Sequence, residues 1–150
     1  MLIIAPYAQK LKSGKENAKN YPHWKELIQL INDSIPIVQV GVTNEVPLVE
    51  DCRFNLSIAE LKNLINNCTT WISVDSMFQH LAWDCNKQGI VIFSQSDPLI
   101  FGHESNINLL KSRLYLRKNQ FLWWEDVDSI QDSYIQPDEV IRHLQDFINH

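Results

Sequence analysis

Apolar positions along the chain follow two alternating rhythms. Leu2–Ala5, Ile37–Val42, Thr70–Val74 and Ile90–Phe93 are short, nearly continuous apolar runs, the last three rich in β-branched or aromatic residues. Runs of this kind predict strands covered on both faces, as in a parallel sheet. Between them the apolar residues recur at helical spacing. Trp24, Leu27, Ile28 and Ile31 follow Pro22, which suits a helix's first turn, and Asn32–Asp33–Ser34 closes that helix. Ser57 and Glu60 form a capping box ahead of a stripe of Ile58, Leu61, Leu64, Ile65 and Cys68. A third helix is expected over Met77–Cys85. A last one opens at Pro137, with Asp138 and Glu139 complementing its dipole and Val140, Ile141, Leu144, Phe147 and Ile148 on its apolar face. Leu114–Leu116 reads as a short strand, Gln9–Asn20 as an exposed loop, and Ser94–His103 as a loop.

Strands that alternate with helices imply an α/β fold: a single Rossmann-like, three-layer α/β/α domain with a mostly parallel sheet. The expected domain spans residues 1–150, with 113–150 a tail and helix packed on it. Ligands of such sheets bind beyond the carboxyl ends of the strands. That directs attention to Pro6–Asn20, Val42–Leu48, Asp75–Gln79 and Ser94–His103.

Composition narrows the class. A chain of 150 residues with 45% hydrophobic and 21% charged residues fits one ordinary globular domain. Net charge is −5, from 13 basic and 18 acidic residues, which argues against a nucleic-acid or membrane surface. No apolar run reaches the ~18 residues of a membrane span, and the start MLIIAPYAQK lacks a signal-peptide pattern. A cytoplasmic location is expected. The three cysteines, Cys52, Cys68 and Cys85, have no metal-ligand spacing. They are expected as reduced thiols, at least two of them buried. No metal or cofactor is expected. The motifs of P-loops, serine hydrolases, zinc proteases and dinucleotide-binding folds are absent. Trp123 and Trp124 are adjacent and cannot both face inward from one regular element, which leaves one for a partner contact.

The richest local signal is Val74-Asp75-Ser76-Met77-Phe78-Gln79-His80. A strand ends at Val74 and a helix begins near Ser76, so the N–H groups of Met77, Phe78 and Gln79 face outward at the positive end of the helix dipole. Such a junction accepts a phosphate. It equally describes a helix merely capped by Asp75 and Ser76, with His80 at the edge of the core.

The stretch ISVDSMFQHLAWDCNKQGIVIFSQSDP resembles the C-terminal half of heptosyltransferase-type glycosyltransferases, which have the two-domain GT-B fold. It is similar to that family's Asp-Thr/Ser-Gly-x-x-His run, helix, strand and Thr/Ser-Asp-Pro loop. Lys19-Asn20-Tyr21-Pro22-His23-Trp24, Gly41-Val42-Thr43-Asn44-Glu45 and the helix after Leu56-Ser57 resemble further family segments in the same order. The resemblance implies a site for a nucleotide-diphosphate sugar donor. By it, Lys19 contacts donor phosphate, Glu45 accepts from the ribose hydroxyls and Leu56 lines the base pocket. Asp75, Ser76, Met77 and His80 surround the diphosphate and sugar, and Asp97 orders its loop. Read without the resemblance, Lys19 and Glu45 are ordinary loop charges. Three departures stand out: Met77 and Val42 where the family has glycine, and Ser94-Gln95 where it has Gly-Pro. They match the chain's four glycines. The resemblance also implies that the acceptor side and the deprotonating base come from elsewhere, either an acceptor-domain partner or self-association. Three functions follow from it: the donor half of a glycosyltransferase, a stand-alone nucleotide-sugar-binding module, or an interaction protein retaining the fold.

Overall fold

A computed structural model describes residues 1–31 and 33–149. The expected closing residue Asn32 and the terminal His150 lie outside them. Six strands form one sheet in the order β3-β2-β1-β4-β5-β6, and all five ladders are parallel. They are β1 Leu2–Ala5, β2 Ile37–Gly41, β3 Asp51–Phe54, β4 Thr70–Val74, β5 Ile90–Phe93 and β6 Ile107–Leu110. The helices are α1 Trp24–Leu30, α2 Ile58–Asn66, α3 Met77–Asp84, α4 Pro98–Phe101 and α5 Pro137–Ile148.

The central strands are the ones most apolar in sequence. Every residue of β1, β4 and β5 is buried, because helices cover both faces. On one face, Tyr21, Trp24 and Leu27 of the α1 region meet Val140 and Leu144 of α5 over Leu2, Ile4, Ile72 and Ile90. On the other, Leu64 and Ile65 of α2 and Phe78 and Ala82 of α3 pack over Ile3, Val38, Trp71 and Val91. Trp71 is fully buried and its Nε1 donates to the Lys87 carbonyl at 2.9 Å. Burying such a side chain contributes on the order of 1.5–3 kcal/mol or more.

Both edge strands escape the sequence pattern. β3 alternates exposed and half-buried residues, and all of β6 is half-buried. Neither forms the continuous apolar run that marks a doubly covered strand. The strand expected at Leu114–Leu116 is instead a 3-10 turn over Arg113–Tyr115, opened by Ser112 accepting from the Leu114 N–H. The Ser94–His103 loop holds α4. The loop before α1 is only partly exposed, since Asn17 and Ala18 are buried. Of the cysteines only Cys68 is buried; Cys52 and Cys85 are half-buried. Ile58 of the expected α2 stripe faces solvent, while Ser57 caps α2 through the Glu60 N–H as anticipated.

No helix separates β2 from β3. The connecting loop is pinned by Gln39, whose fully buried amide donates to the Val46 carbonyl at 3.0 Å and accepts from the Leu48 N–H at 2.7 Å. A buried amide with both ends paired holds a loop firmly. It thereby fixes where Glu45 stands.

Candidate functional site

Strand order reverses at β1, which lies between β2 and β4. The loops leaving the carboxyl ends of β1 and β4 meet there, where open α/β sheets bind ligands. Asp75 leaves β4 at this point. It is 4% exposed, and its Oδ1 accepts from Gln79 Nε2 at 2.6 Å. Its Oδ2 lies 3.3 Å from Lys19 Nζ, an ion pair, yet accepts no hydrogen bond. A buried carboxylate oxygen without a hydrogen bond is costly and unusual. Gln79 is itself fully buried, with its amide oxygen also unpartnered.

α3 begins two residues later. Ser76 adopts extended backbone (φ −154°) at its N-cap, but its side chain caps no N–H. The first-turn donors are therefore left to other acceptors. Met77 is 63% exposed, so its side chain turns to solvent and not into the β4–α3 turn where the family has glycine.

His80 does not join Asp75. It is exposed, and its Nδ1 lies 2.7 Å from His103 Nε2. The His103 ring in turn stacks on Trp83 at 4.9 Å. Burial first, then the neighbouring His80, lowers the pKa of His103. In this structure His80 pairs with His103 and so bridges α3 to the segment after α4.

Glu45 lies beyond the end of β2. Its Oε1 accepts from the Val42 N–H at 2.7 Å. This fold-back requires Gly41, because a Cβ there would stand 2.0 Å from that oxygen. Asn44 supports the turn in a left-handed conformation (φ 76°), which asparagine tolerates. Burial raises the Glu45 pKa, opposed by the Val42 N–H and by Lys10. Tyr7, from the loop after β1, reaches across to the Val46 carbonyl at 3.0 Å. Burial and then Glu45 push its pKa up to about 12. Leu56 is half-buried against the α2/α3 face of the core.

Asp97 orders its loop. It caps α4 by accepting from the Leu99 N–H at 2.9 Å and takes both guanidinium nitrogens of Arg113, at 2.9 and 2.8 Å. The Arg113 hydrogen bonds hold its pKa below the usual carboxylate range.

The structure brings Lys19 and Asp75 together, sets Glu45 on the far side of β1, and adds two residues that spacing did not reveal. The Trp124 ring lies 4.9 Å from Lys19 Nζ and 3.8 Å from Arg117 Cζ. Both tail residues belong to a strap over 117–128 that crosses the carboxyl end of the sheet. Arg117 donates to the carbonyls of Gln120 (2.8 Å), Leu122 (2.7 Å) and Trp123 (3.3 Å). Gln120 donates to the Gln95 carbonyl and accepts from the Asp97 N–H. Glu125 accepts from the Lys12 N–H, and Asp128 pairs with Lys15. The adjacent-tryptophan expectation resolves here: Trp123 is 82% exposed, and Trp124 is half-buried against the two cations. Among the described residues, no group of three or more His, Cys, Asp or Glu side chains is placed to hold a metal ion. No helix among them is long and apolar enough to cross a membrane.

Comparison with known proteins agrees with the motif reading. Residues 52–119 match the model of Glycosyltransferase family 9 (heptosyltransferase). A search among curated proteins gives no match. Among solved structures, E. coli ADP-heptose lps heptosyltransferase II superposes with a TM-score of 0.66 at 19% identity, covering 97% of this chain and 45% of that one. The E. coli heptosyltransferase WaaC with ADP gives 0.65 at 17% identity, covering 97% and 43%. The iron-containing dodecameric glycosyltransferase TibC from enterotoxigenic E. coli gives 0.71 at 15%, covering 99% and 44%. The chain therefore has the α/β fold of these proteins and spans less than half of their length. The resemblance to the C-terminal half of heptosyltransferase-type enzymes is borne out.

Proposed function

We propose that this chain is the donor-binding part of a glycosyltransferase and holds a nucleotide-diphosphate sugar at the β4–α3 junction. One observation carries this reading. Asp75 is buried, with one oxygen that accepts no hydrogen bond, beside the Lys19 ammonium and the uncapped amino end of α3. An ammonium and free N–H groups suit phosphate, and a buried carboxylate oxygen suits a sugar hydroxyl. Glu45, at the adjacent β2 end, is offered to the ribose hydroxyls and Leu56 to the base. Ser76 and Met77 flank the diphosphate. Asp97, through Arg113 and Gln120, keeps the neighbouring loop in place. His80 serves this reading only by giving up His103.

The acceptor and its deprotonating base are not assigned to this chain, because general-base catalysis needs a group within hydrogen-bond reach of the acceptor hydroxyl. They come in this reading from an acceptor-domain partner or from a second copy. Exposed apolar side chains beside the site support a docked neighbour: Leu99, Leu114, Phe121 and Trp123 are each 78% exposed or more. Residues 113–150 act as a tail folded back on one donor-binding domain, and the chain works in the cytoplasm.

The test is thermal stability against a panel of ADP, UDP, GDP and CMP sugars. A ligand at about 100 times its Kd stabilises by about 2.7 kcal/mol. One nucleotide class is expected to raise the melting temperature, and Lys19→Ala or Asp75→Ala to abolish the rise. No shift with any donor would overturn the reading.

A further inference from the structure

Two cations share one indole at the site, and a single buried carboxylate faces them. Lys19 Nζ lies 4.9 Å and Arg117 Cζ 3.8 Å from the Trp124 ring centroid. Of the two cations, Lys19 forms an ion pair, with Asp75 at 3.3 Å. Arg117 has only neutral hydrogen-bond partners, the carbonyls of Gln120, Leu122 and Trp123, and its Nε is buried with no partner at all. Burial lowers the Arg117 pKa, and the Asp75 charge acts against that. The cluster of Lys19, Arg117 and Asp75 thus carries one uncompensated positive charge. Like charges gathered around one ring repel unless an anion joins them.

The cluster is also built for rigidity. The Arg117 N–H donates to the Gln95 carbonyl at 3.1 Å, so the residue is tied at both backbone and side chain. Gln95 is buried, and its amide donates to the Asp128 carbonyl at 2.8 Å, closing the strap onto the loop after β5. A charge held this firmly loses little freedom on binding a ligand. The buried side-chain atoms that lack a hydrogen bond include one donor on Arg117, Nε, and two acceptors on Asp75 and Gln79, Oδ2 and Oε1. That mixture fits a ligand with an anionic group next to hydroxyls.

We propose that Arg117, backed by Trp124, is the second cation of the site and neutralises the diphosphate of the donor together with Lys19. This rests on the donor-site reading above and assigns a binding role to two residues of the tail strap. Lys19 exchanges its contact with Trp124 and Asp75 for phosphate oxygens. Arg117 stays in place and supplies a fixed field. Trp124 holds the guanidinium flat, and its ring face offsets part of the charge before the ligand arrives.

The experiment is calorimetry with ADP and adenosine on the full chain, comparing wild type, Arg117→Gln, Arg117→Lys, Trp124→Ala and Lys118→Gln. The exposed Lys118 is the control for a nearby charge that does not touch Trp124. Arg117→Gln is expected to weaken ADP tenfold or more while adenosine stays within twofold. Arg117→Lys keeps the charge but cannot fork to three carbonyls, and is expected to retain ADP affinity within about threefold. Trp124→Ala is expected to weaken ADP and to make its binding more sensitive to salt. Lys118→Gln is expected to change neither. Equal loss of ADP and adenosine in Arg117→Gln, or loss in Arg117→Lys as deep as in Arg117→Gln, would reduce Arg117 to a brace for the strap and overturn the proposal. Unchanged ADP binding in Arg117→Gln would overturn it too. If wild type binds neither ADP nor any other nucleoside diphosphate, it is the donor-site reading that fails.

Discussion

Gly41→Ala isolates the contribution of Glu45 without altering its charge. A Cβ on Gly41 would stand 2.0 Å from Glu45 Oε1 and 3.2 Å from its Cδ. Comfortable contact is about 3.5 Å, so the carboxylate must retreat by roughly 1.5 Å. That retreat breaks the 2.7 Å bond from the Val42 N–H. A hydrogen bond to a charged group is worth about 1.5–3 kcal/mol, and the half-buried position puts this one near the lower end. The backbone gains back about 0.5–1 kcal/mol, because alanine suits a strand better than glycine. The net loss of stability is thus about 1 kcal/mol or less, a fall of about 2–4 °C in Tm. Ligand binding is expected to suffer more, because the carboxylate no longer stands where a ribose would meet it. Losing one such charged contact costs about tenfold in affinity. The assay is calorimetry with ADP, with inorganic pyrophosphate as the control that has no ribose. ADP is expected to weaken about tenfold and pyrophosphate to hold. Unchanged ADP affinity, or equal loss of both, would refute the reasoning about Glu45.

Three further outcomes are expected. Gly89→Ala puts a Cβ 2.2 Å from two ring atoms of the fully buried Trp71, which cannot retreat; a loss of about 3 kcal/mol, read as a Tm about 10 °C lower, is expected from overpacking. Asp97→Asn removes a carboxylate whose pKa Arg113 lowers. Such a group adds stability above the unfolded carboxylate value of about 3.9, lost as pH falls, so the variant's Tm is expected to be lower at pH 7 and to converge with wild type in acid. His103 has a lowered pKa from burial and then His80. Its neutral form is the one the fold accepts, so stability rises with pH up to about 6.5 and is lost as pH falls below it. His103→Gln is expected to flatten the Tm profile between about pH 5 and 6.5, and an unchanged slope would count against the His80–His103 contact.

The parts of this architecture legible in the sequence are those where one physical demand acts along the chain. Thr70–Val74 and Ile90–Phe93 are rich in β-branched and aromatic residues and buried throughout because both faces are covered, so their strands show directly. Asp75 shows as the first polar residue past such a run. Asp51–Phe54 and Ile107–Leu110 do not show, because edge strands mix partly exposed residues with pairing that only the neighbouring strand supplies. The strap is silent for a different reason. Arg117 is held by backbone carbonyls, which leave no residue signature, and Trp124 gains meaning from the cations it meets, one of them Lys19, far away in sequence. The His80–His103 contact is silent in the same way: the position of His80 on α3 is legible, but its partner comes from another element. Met77 shows in the sequence only as a departure from glycine; that its side chain is largely exposed is visible only in the fold.

The central claim is that a nucleoside diphosphate binds at the β4–α3 junction. Its most direct test is backbone amide NMR during titration with ADP, UDP and GDP. One of them is expected to move the amides of Asp75–Gln79 most, together with Lys19, and Asp75→Ala is expected to abolish those shifts while its spectrum stays folded. Shifts confined to the shallow hollow at the opposite, amino end of the sheet, around Met1, Ser34, Thr69 and Ile148, or no shifts with any of the three nucleotides, would contradict the account.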